Sequence, residues 1–514
     1  MKYIQGTDRN QVSLFPTSLE DAIDQDNTVR NIDDFVDGLD MGKLGFKVHF
    51  PENGRPAYHP TALLKLYIYG YMNKLRSSRD LEKECKRNIE LMWLLKSLAP
   101  DHNTINNFRK DNPKAIKRVF RATVDIARNF GLIGGVLIAG DSTKLRAQNS
   151  KKNNFNPKKI ENHLAYIEAK LEQYNTELAL AEGDRKKTIQ KEIEKQKKRR
   201  DTYHNLSKHL EESGEKQVST SDPDSRHMIV RNNITEVAYN LQTTVDAKNN
   251  IPIDYKVTNT NDSKAMGNML QRSKSILRDT GFVALYDKGY HTGSEFEKAT
   301  DLGIDVLVAI PKVAAQAPDP AYNVEHFTYL EQEDRYVCPQ GNKLTTPGTW
   351  HKAKTYSFKR YTTKKCMLCP VKSQCTKAKY GKGVQRSEYQ AHIDQNKDRI
   401  EDNKDHYRQR QAIVEHPYGT IKRQWGFSYI LTKRYIERAS ADVGLMFTAY
   451  NLRRIINILG KEVLSGYPRM LVLCFLSATD LVRVRISRFN APILSGKIKG
   501  DPTQPQANQL IFIP

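Results

Sequence analysis

The chain has 514 residues with 82 Lys+Arg against 59 Asp+Glu, a formal charge of +23, and is 38% hydrophobic and 27% charged. At about 150 residues per domain, this length predicts roughly three domains or one core with insertions, and the balance excludes a collagen-like or wholly disordered chain. No apolar stretch reaches the ~18 residues of a membrane helix, since the best, around Gly131–Gly140 and Met470–Thr479, end at charged residues. The opening MKYIQGTDRN lacks the basic-then-apolar order of a secretory signal. The expectation is a cytosolic, cytoplasmic protein whose leading partner is a polyanion, although ribosomal and chaperone-like proteins share such a charge.

In chain order, residues 1–130 read as helical, with an acidic opening of 40 residues. His59-Pro60 precedes TALLKLYIYGYMNKL, whose Leu63, Leu64, Tyr67, Ile68 and Tyr71 fall on one helical face. Ser77 with Asp80 makes a capping-box start for DLEKECKRNIELMWLL. A third segment, TINNFRKDNPKAIKRVFRATVDIARNF, is broken or kinked by Pro113. It carries Arg109, Lys110, Lys114, Lys117 and Arg118, which suit either a helix-turn-helix touching DNA or a helical bundle with a solvated basic face.

From Gly135 the pattern becomes α/β. Val136–Ala139 is a short apolar strand ending at Asp141, and AYNLQTTVDAKNN with IPIDYKVTNT reads as a hairpin turning at Lys248-Asn249-Asn250. A helix-like DSKAMGNMLQRSKSIL separates these from FVALYD (Phe282–Asp287) and DVLVAIPK (Asp305–Lys312). Between the first two strands, Ile160, Leu164, Ile167, Leu171, Tyr174 and Leu178 form a heptad seam. After Glu182-Gly183-Asp184, Ile189 and Ile193 begin a returning helix to about Leu210. Its residues 185–200 hold nine Lys/Arg and two Glu, a run that reads as a solvated helix or as a nucleic-acid contact.

Residues 313–385 hold four of the six cysteines: Cys338, Cys366, Cys369 and Cys375. A long cytosolic chain should not carry a disulfide framework, so the cluster suits a closed Zn²⁺ site. The alternative is four reduced thiols in a site that has lost its metal. Cys85 and Cys474 stand alone in apolar surroundings and read as small buried thiols. Residues 351–383 contain ten Lys/Arg and no acid, which suits phosphate contact by charge neutralisation.

Two buried strands end in aspartate. Asp141 and Asp287 either cap the next helix or, brought together, hold a divalent ion. Oxygen ligands without a histidine cluster favour Mg²⁺ or Mn²⁺. Glu415 is a third candidate, directly after a segment, Asn403 to Val414, that should be helical; Pro417 should kink the chain beside it, and Lys422 lies close to two helical turns beyond. Two ions would activate the attacking oxygen of phosphodiester chemistry and stabilise the leaving one. Trp425 and Phe427 suit either stacking on a base or the core.

These motifs resemble a family. GDSTKLRAQNS around Asp141, YDKGYHTG around Asp287, VEHPYGTIKRQWGF around Glu415, the early RPAYHPTALLKLYIYGYMNKLRSSRDLEKECKRN, SDPDSRHM and the CPQG…CMLC module resemble bacterial insertion-sequence transposases of the DDE type. The likeness spans roughly residues 10–460. It implies an α/β, ribonuclease-H-like mixed sheet with an N-terminal all-helical domain, a helical-hairpin insertion and a small, zinc-ribbon-like cysteine insertion. The expected division is 1–130 as the DNA-binding helical module, 131–312 with 386–460 as the catalytic core, 157–212 as the hairpin, 313–385 as the cysteine insertion and 461–514 as a C-terminal tail. The last residues, 500–514, are expected to be poorly ordered.

The resemblance implies that Asp141, Asp287 and Glu415 are the metal-binding triad. Lys422, Arg423, Trp425, Lys288, Tyr290, Arg408 and Arg410 are then the expected DNA contacts, with Arg226 and His227 at a strand start as surface residues or helpers. Related transposases carry Tyr-x-x-Arg-x-x-x-Glu-x(6)-Lys. Glu415 and Lys422 fit it, but Gln411 stands at the arginine place and Arg408 at the tyrosine place, with Tyr407 and Arg410 close by. The expected activity is Mg²⁺-dependent cleavage and strand transfer on double-stranded DNA, element ends and target, by a nucleoid-associated homodimer. A structure-selective nuclease without strand transfer and a non-catalytic DNA-binding derivative are the alternatives.

Overall fold

In a computed structural model, residues 18–49, 56–231, 234–311 and 317–461 are described. The expectations for Cys474, for Met470–Thr479 and for the tail from residue 462 lie outside the described residues. Among the described residues no helix is long and apolar enough to cross a membrane.

Among the described residues, six helices come first: α1 Thr28–Asp37, α2 Pro60–Met72, α3 Ser78–Cys85, α4 Ile89–Leu94, α5 His102–Asp111 and α6 Pro113–Asn129. Their starts follow local chemistry. Asn27, Ser77, Asn88 and Asp101 cap free amides, and Pro60 and Pro113 open α2 and α6 where no amide is needed. DLEKECKRNIELMWLL is two helices rather than one, because Asn88 accepts from Glu90 N and Leu91 N and restarts the chain as α4. Nearly the whole of α2 is buried, including Leu66 and Tyr69. An apolar sequence on all sides suits a helix surrounded by packing partners.

The central sheet is built from β1 Leu137–Arg146, β4 Arg226–Arg231, β5 Ile234–Asp246, β6 Ile251–Thr258, β7 Val283–Tyr286 and β8 Asp305–Val308; a small pair, β2 Asn154–Phe155 and β3 Val218–Ser219, lies apart. Its order is β4-β5-β1-β7-β8, with β6 also on β5. β5 runs antiparallel to β1, β4 and β6, whereas β1, β7 and β8 are mutually parallel. Strand β1 is longer than its apolar stretch, because β5 carries its ladder on to Arg146↔Ala238 after β7 has ended. Asp141 therefore sits within a strand, not at its terminus.

Helices α7 Pro157–Leu180 and α8 Gly183–Ser213 bury Ile160, Ile167, Leu171, Ile189 and Ile193. α9 Met266–Leu277 and α10 Gly293–Asp301 flank the parallel strands in sequence. The cysteine segment forms two three-stranded sheets: β9 Thr328–Leu330, β10 Arg335–Val337 and β11 Lys343–Leu344, then β12 Trp350–Lys352, β13 Ser357–Tyr361 and β14 Val384–Ser387, with α11 Lys372–Cys375 between the last two strands. The chain then returns through α12 Gln390–Asp402, α13 Lys404–Arg408 and α14 Arg410–Tyr418, and closes with α15 Ile436–Leu459.

The sheet buries both faces. On one, Ile138, Ala284, Tyr286 and Val306 join a core shared with α2, α6 and α15. On the other, Ala139, Val245, Leu285 and Leu307 are covered by Ile413 and Val414 of α14, with Ile400 and Tyr407 beside them. The basic third segment contributes inward as well. Arg109 is buried against Asp442 and Tyr71, and Lys117 donates to Tyr255 O, so neither belongs to a solvated face.

Candidate active site

The register places the two aspartates side by side. β1 and β7 pair in parallel up to Ala139↔Leu285, and Asp141 and Asp287 each lie two residues further on. A two-residue step keeps a side chain on the same face, so both carboxylates extend the face that Ile413 and Val414 cover. Gly140 precedes Asp141 because the Tyr286 ring crosses there; a Cβ would stand 2.0 Å from it.

Asp141 is half-buried. Its Oδ1 accepts from Ser142 N at 2.7 Å, and Arg410 Nη1 stands 3.5 Å from Oδ2. Burial pushes its carboxyl up to about 6; Arg410 and the Ser142 amide oppose the rise, while the charges of Asp287 and Asp262 add to it. Asp287 caps the turn Lys288–Tyr290, its Oδ1 accepting from Gly289 N at 2.8 Å. Asp262 was not legible as part of this site, because at the head of DSKAMGNMLQRSKSIL it reads as a helix-starting residue. Burial pushes it up, but hydrogen bonds from Asn240 and others and the Lys144 ammonium outweigh this and hold it below its ordinary value.

Glu415 does not join the pair in this structure. It faces solvent on α14, where its Oε1 accepts from Gln411 Nε2 at 2.8 Å. Its neighbours on that helix do reach Asp141: Arg410 through the ion pair, and Tyr418 by donating to Asp141 O at 3.2 Å. Tyr418 is three residues from Glu415, an adjacent position on a helix surface. Pro417 does not stop the helix. α14 continues to Tyr418 and widens into a π-helix, Gly419–Gln424, and the interruption comes earlier, at Gln409 between α13 and α14. That π-helix brings Lys422 Nζ to Thr143 Oγ1 at 2.7 Å, on the strand that carries Asp141. Burial, then the Lys144 and Arg423 charges, lower the Lys422 pKa.

Tyr407 and Arg410, spaced Tyr-x-x-Arg, occupy the place where the shifted signature is expected: Tyr407 OH donates to Tyr286 O at 3.1 Å and Arg410 meets Asp141. Arg408 lies outward and pairs with Asp405 at 3.0 Å. Lys288 and Arg423 are exposed. Two expected DNA contacts are core residues instead. Trp425 is 5% exposed and packs on Phe427, and Tyr290 is 1% exposed, with its hydroxyl donated to Gln242 Oε1. Phe427 is buried too, with the Arg76 guanidinium over its ring. Arg226 pairs with Glu215 at 2.5 Å, and His227 Nε2 is buried with no hydrogen-bond partner.

The donor set suits a hard cation: two carboxylates just beyond the last rung of a parallel ladder, with a guanidinium supplying positive charge to one of them. Mg²⁺ is commonly held by one or two carboxylates together with substrate phosphate. Among the described residues no group of three or more His, Cys, Asp or Glu stands in metal-binding geometry. Cys338, Cys366, Cys369 and Cys375 nevertheless line a single cavity of about 20 Å³, room for one water-sized body. Burial and the three neighbouring thiols raise the Cys375 pKa.

Residues 17–111 match the family described as Transposase domain (DUF772), and residues 337–456 match Transposase DDE domain. The second match contains the four cysteines, Glu415 and Lys422. Among solved structures, the chain is similar at 9% identity to a piggyBac transposase synaptic complex with hairpin DNA, over 91% of this chain and 80% of that one, with a TM-score of 0.27. It is similar at 11% identity to a pre-cleavage Mos1 transpososome, over 53% of this chain and 65% of that one, with a TM-score of 0.15. No curated protein matches.

Proposed function

We propose that this chain, whose residues 17–111 and 337–456 match a transposase domain and a transposase DDE domain, is a DDE transposase that cuts phosphodiester bonds at the ends of an insertion sequence and joins the freed ends to target DNA. The observation that carries the reading is the pair Asp141–Asp287, two residues past the last rung of a parallel ladder. The sheet order β6-β5-β1-β7-β8, three antiparallel strands followed by two parallel ones, supports a ribonuclease-H-like core. In this reading residues 131–312 with 386–460 are catalytic, 1–130 the helical module, 157–212 the hairpin and 313–385 the cysteine insertion.

Asp141 and Asp287 would hold a divalent cation, Mg²⁺ or Mn²⁺. When bound, the cation acidifies the attacking oxygen and neutralises charge on the leaving one. The chain's own residues do the rest. Arg410, now paired with Asp141, would be free to hold phosphate, a partner its planar fork suits, where a cation takes its place on the carboxylate. Lys422, held at Thr143, steadies the phosphate next to the cut. Glu415, on the helix that already touches Asp141 through Tyr418, completes the triad by a side-chain rotation once cation and DNA are present. Cys338, Cys366, Cys369 and Cys375, which line one cavity, would hold a structural Zn²⁺, and the basic surface of their insertion would follow the DNA backbone. Two copies of the chain on one pair of ends would bring both ends to a common target.

A supercoiled plasmid carrying the DNA that flanks the coding region tests this with Mg²⁺. Cleavage followed by joining is expected, and Asp287→Ala should abolish both while retaining DNA binding. Cleavage without joining points to a nuclease; binding alone points to a non-catalytic derivative.

A further inference from the structure

The backbone does not hold Asp141 and Asp287 together, since the β1–β7 ladder ends two residues before either. A side-chain network does this from the opposite face of β1. Asp262, in the turn Asp262–Lys264 after β6, accepts from Asn240 Nδ2 at 2.7 Å, from Gln242 Nε2 at 2.6 Å and from Lys144 Nζ at 3.2 Å. The β1–β5 register sets Lys144 opposite Asn240 and Ser142 opposite Gln242, so these groups converge on one spot. Lys144 Nζ also donates at 2.9 Å to Ser142 Oγ, on the residue next to Asp141. On the other side, Gln242 Oε1 accepts from the hydroxyl of Tyr290, in the turn that Asp287 caps. The contact with that turn is close: a Cβ on Gly289 would stand 3.7 Å from Asp262 Cβ and 3.0 Å from Asp287 Oδ1.

We propose that Asp262 is a positioning residue that sets the separation of Asp141 and Asp287, acting through Lys144 on β1 and through Gln242 and Tyr290 on the turn after β7. The proposal rests on the reading of those aspartates as a cation-holding pair. Two carboxylates repel until a cation joins them, and the Asp262 network opposes that spreading in the metal-free chain. A polar network with several charge-assisted hydrogen bonds in a low-dielectric setting resists distortion, and supports of this kind orient metal ligands.

Asp262→Asn in the full-length chain tests this. The amide keeps the size but loses the Lys144 charge pair, and it presents a donor to two donors. Two measurements are made without DNA: hydrogen exchange over residues 286–292, and Mn²⁺ affinity from the paramagnetic resonance of the free ion. The expected result is exchange faster by about tenfold in that segment, unchanged exchange in α15, and Mn²⁺ binding weakened by about 10- to 100-fold. Wild-type Mn²⁺ affinity in the variant overturns the proposal even if exchange is faster, since Asp262 would then be structural only. If the wild type takes up no Mn²⁺, the cation reading fails and exchange alone decides whether Asp262 ties the turn to β1. If the variant does not fold, Lys144→Met and Tyr290→Phe separate the two arms, and unchanged exchange over 286–292 in both overturns the proposal.

Discussion

Asp141 is the residue whose chemistry is most exposed to measurement. Its carboxyl is raised to about 6 by burial, with Arg410 limiting the rise. A raised acid binds its proton more tightly when folded, so between about pH 4 and pH 6 the native state holds more protons than the unfolded one, and stability falls as pH rises through that window. Asp141→Asn should therefore stabilise the metal-free protein at pH 7.5, on the order of 1–3 kcal/mol, and have little effect below pH 4. Thermal melts across pH in a chelator check this; an equal effect at both ends would contradict it. Divalent cation should reverse the ranking, raising the melting temperature of the wild type and not of the variant. Arg410→Ala removes the charge that holds Asp141 down, so the pH midpoint for Mn²⁺ uptake should move upward in that variant.

Among the elements, the apolar runs that lead into Asp141 and Asp287 were legible as strands, because a continuous apolar run is what a strand buried on both faces requires. The extension of β1 past Asp141 was not, since Ser142, Thr143, Lys144 and Arg146 are polar and it is the β5 ladder that carries the strand on. The seam of the α7–α8 hairpin could be read from its spacing, but the break at Asn88 could not, as it depends on a cap inside an otherwise periodic helix. Asp262 escaped because its partners come from two strands, β1 and β5, that only the sheet register brings together. Trp425 could be read two ways, and the π-helix decides between them by turning the ring inward against Phe427. Trp425→Ala should accordingly cost about 3–5 kcal/mol in denaturant unfolding, whereas a ring reserved for DNA would leave stability unchanged. The cysteine insertion makes its own prediction. The purified chain should carry one zinc by elemental analysis, and Cys369→Ser should lose it without changing Mn²⁺ uptake.

At the scale of the molecule, the helical N-terminal part is not an independent appendage. One core runs from Ile23 through α2 and α6 to the sheet and α15. Its polar centre is Asp442, fully buried, which meets Arg76 at 2.7 Å, Arg109 at 3.4 Å and the Tyr71 hydroxyl, and accepts from Leu431 N. Burial raises its carboxyl, but Arg76 and Arg109 outweigh this and keep it below its ordinary value. Asp442→Ala strands two buried guanidinium groups and should cost about 3–5 kcal/mol, with helices and sheet lost in a single transition; separate transitions would contradict the shared core.

The central claim is that Asp141 and Asp287 close on a common cation when DNA is bound. Anomalous diffraction from crystals grown with Mn²⁺ and a duplex of the flanking DNA tests it most directly. A peak is expected about 2.1 Å from an oxygen of each aspartate, with Glu415 turned toward it and Arg410 moved to a phosphate. A well-ordered DNA complex with Arg410 still on Asp141 and no Mn²⁺ between the two aspartates would contradict it.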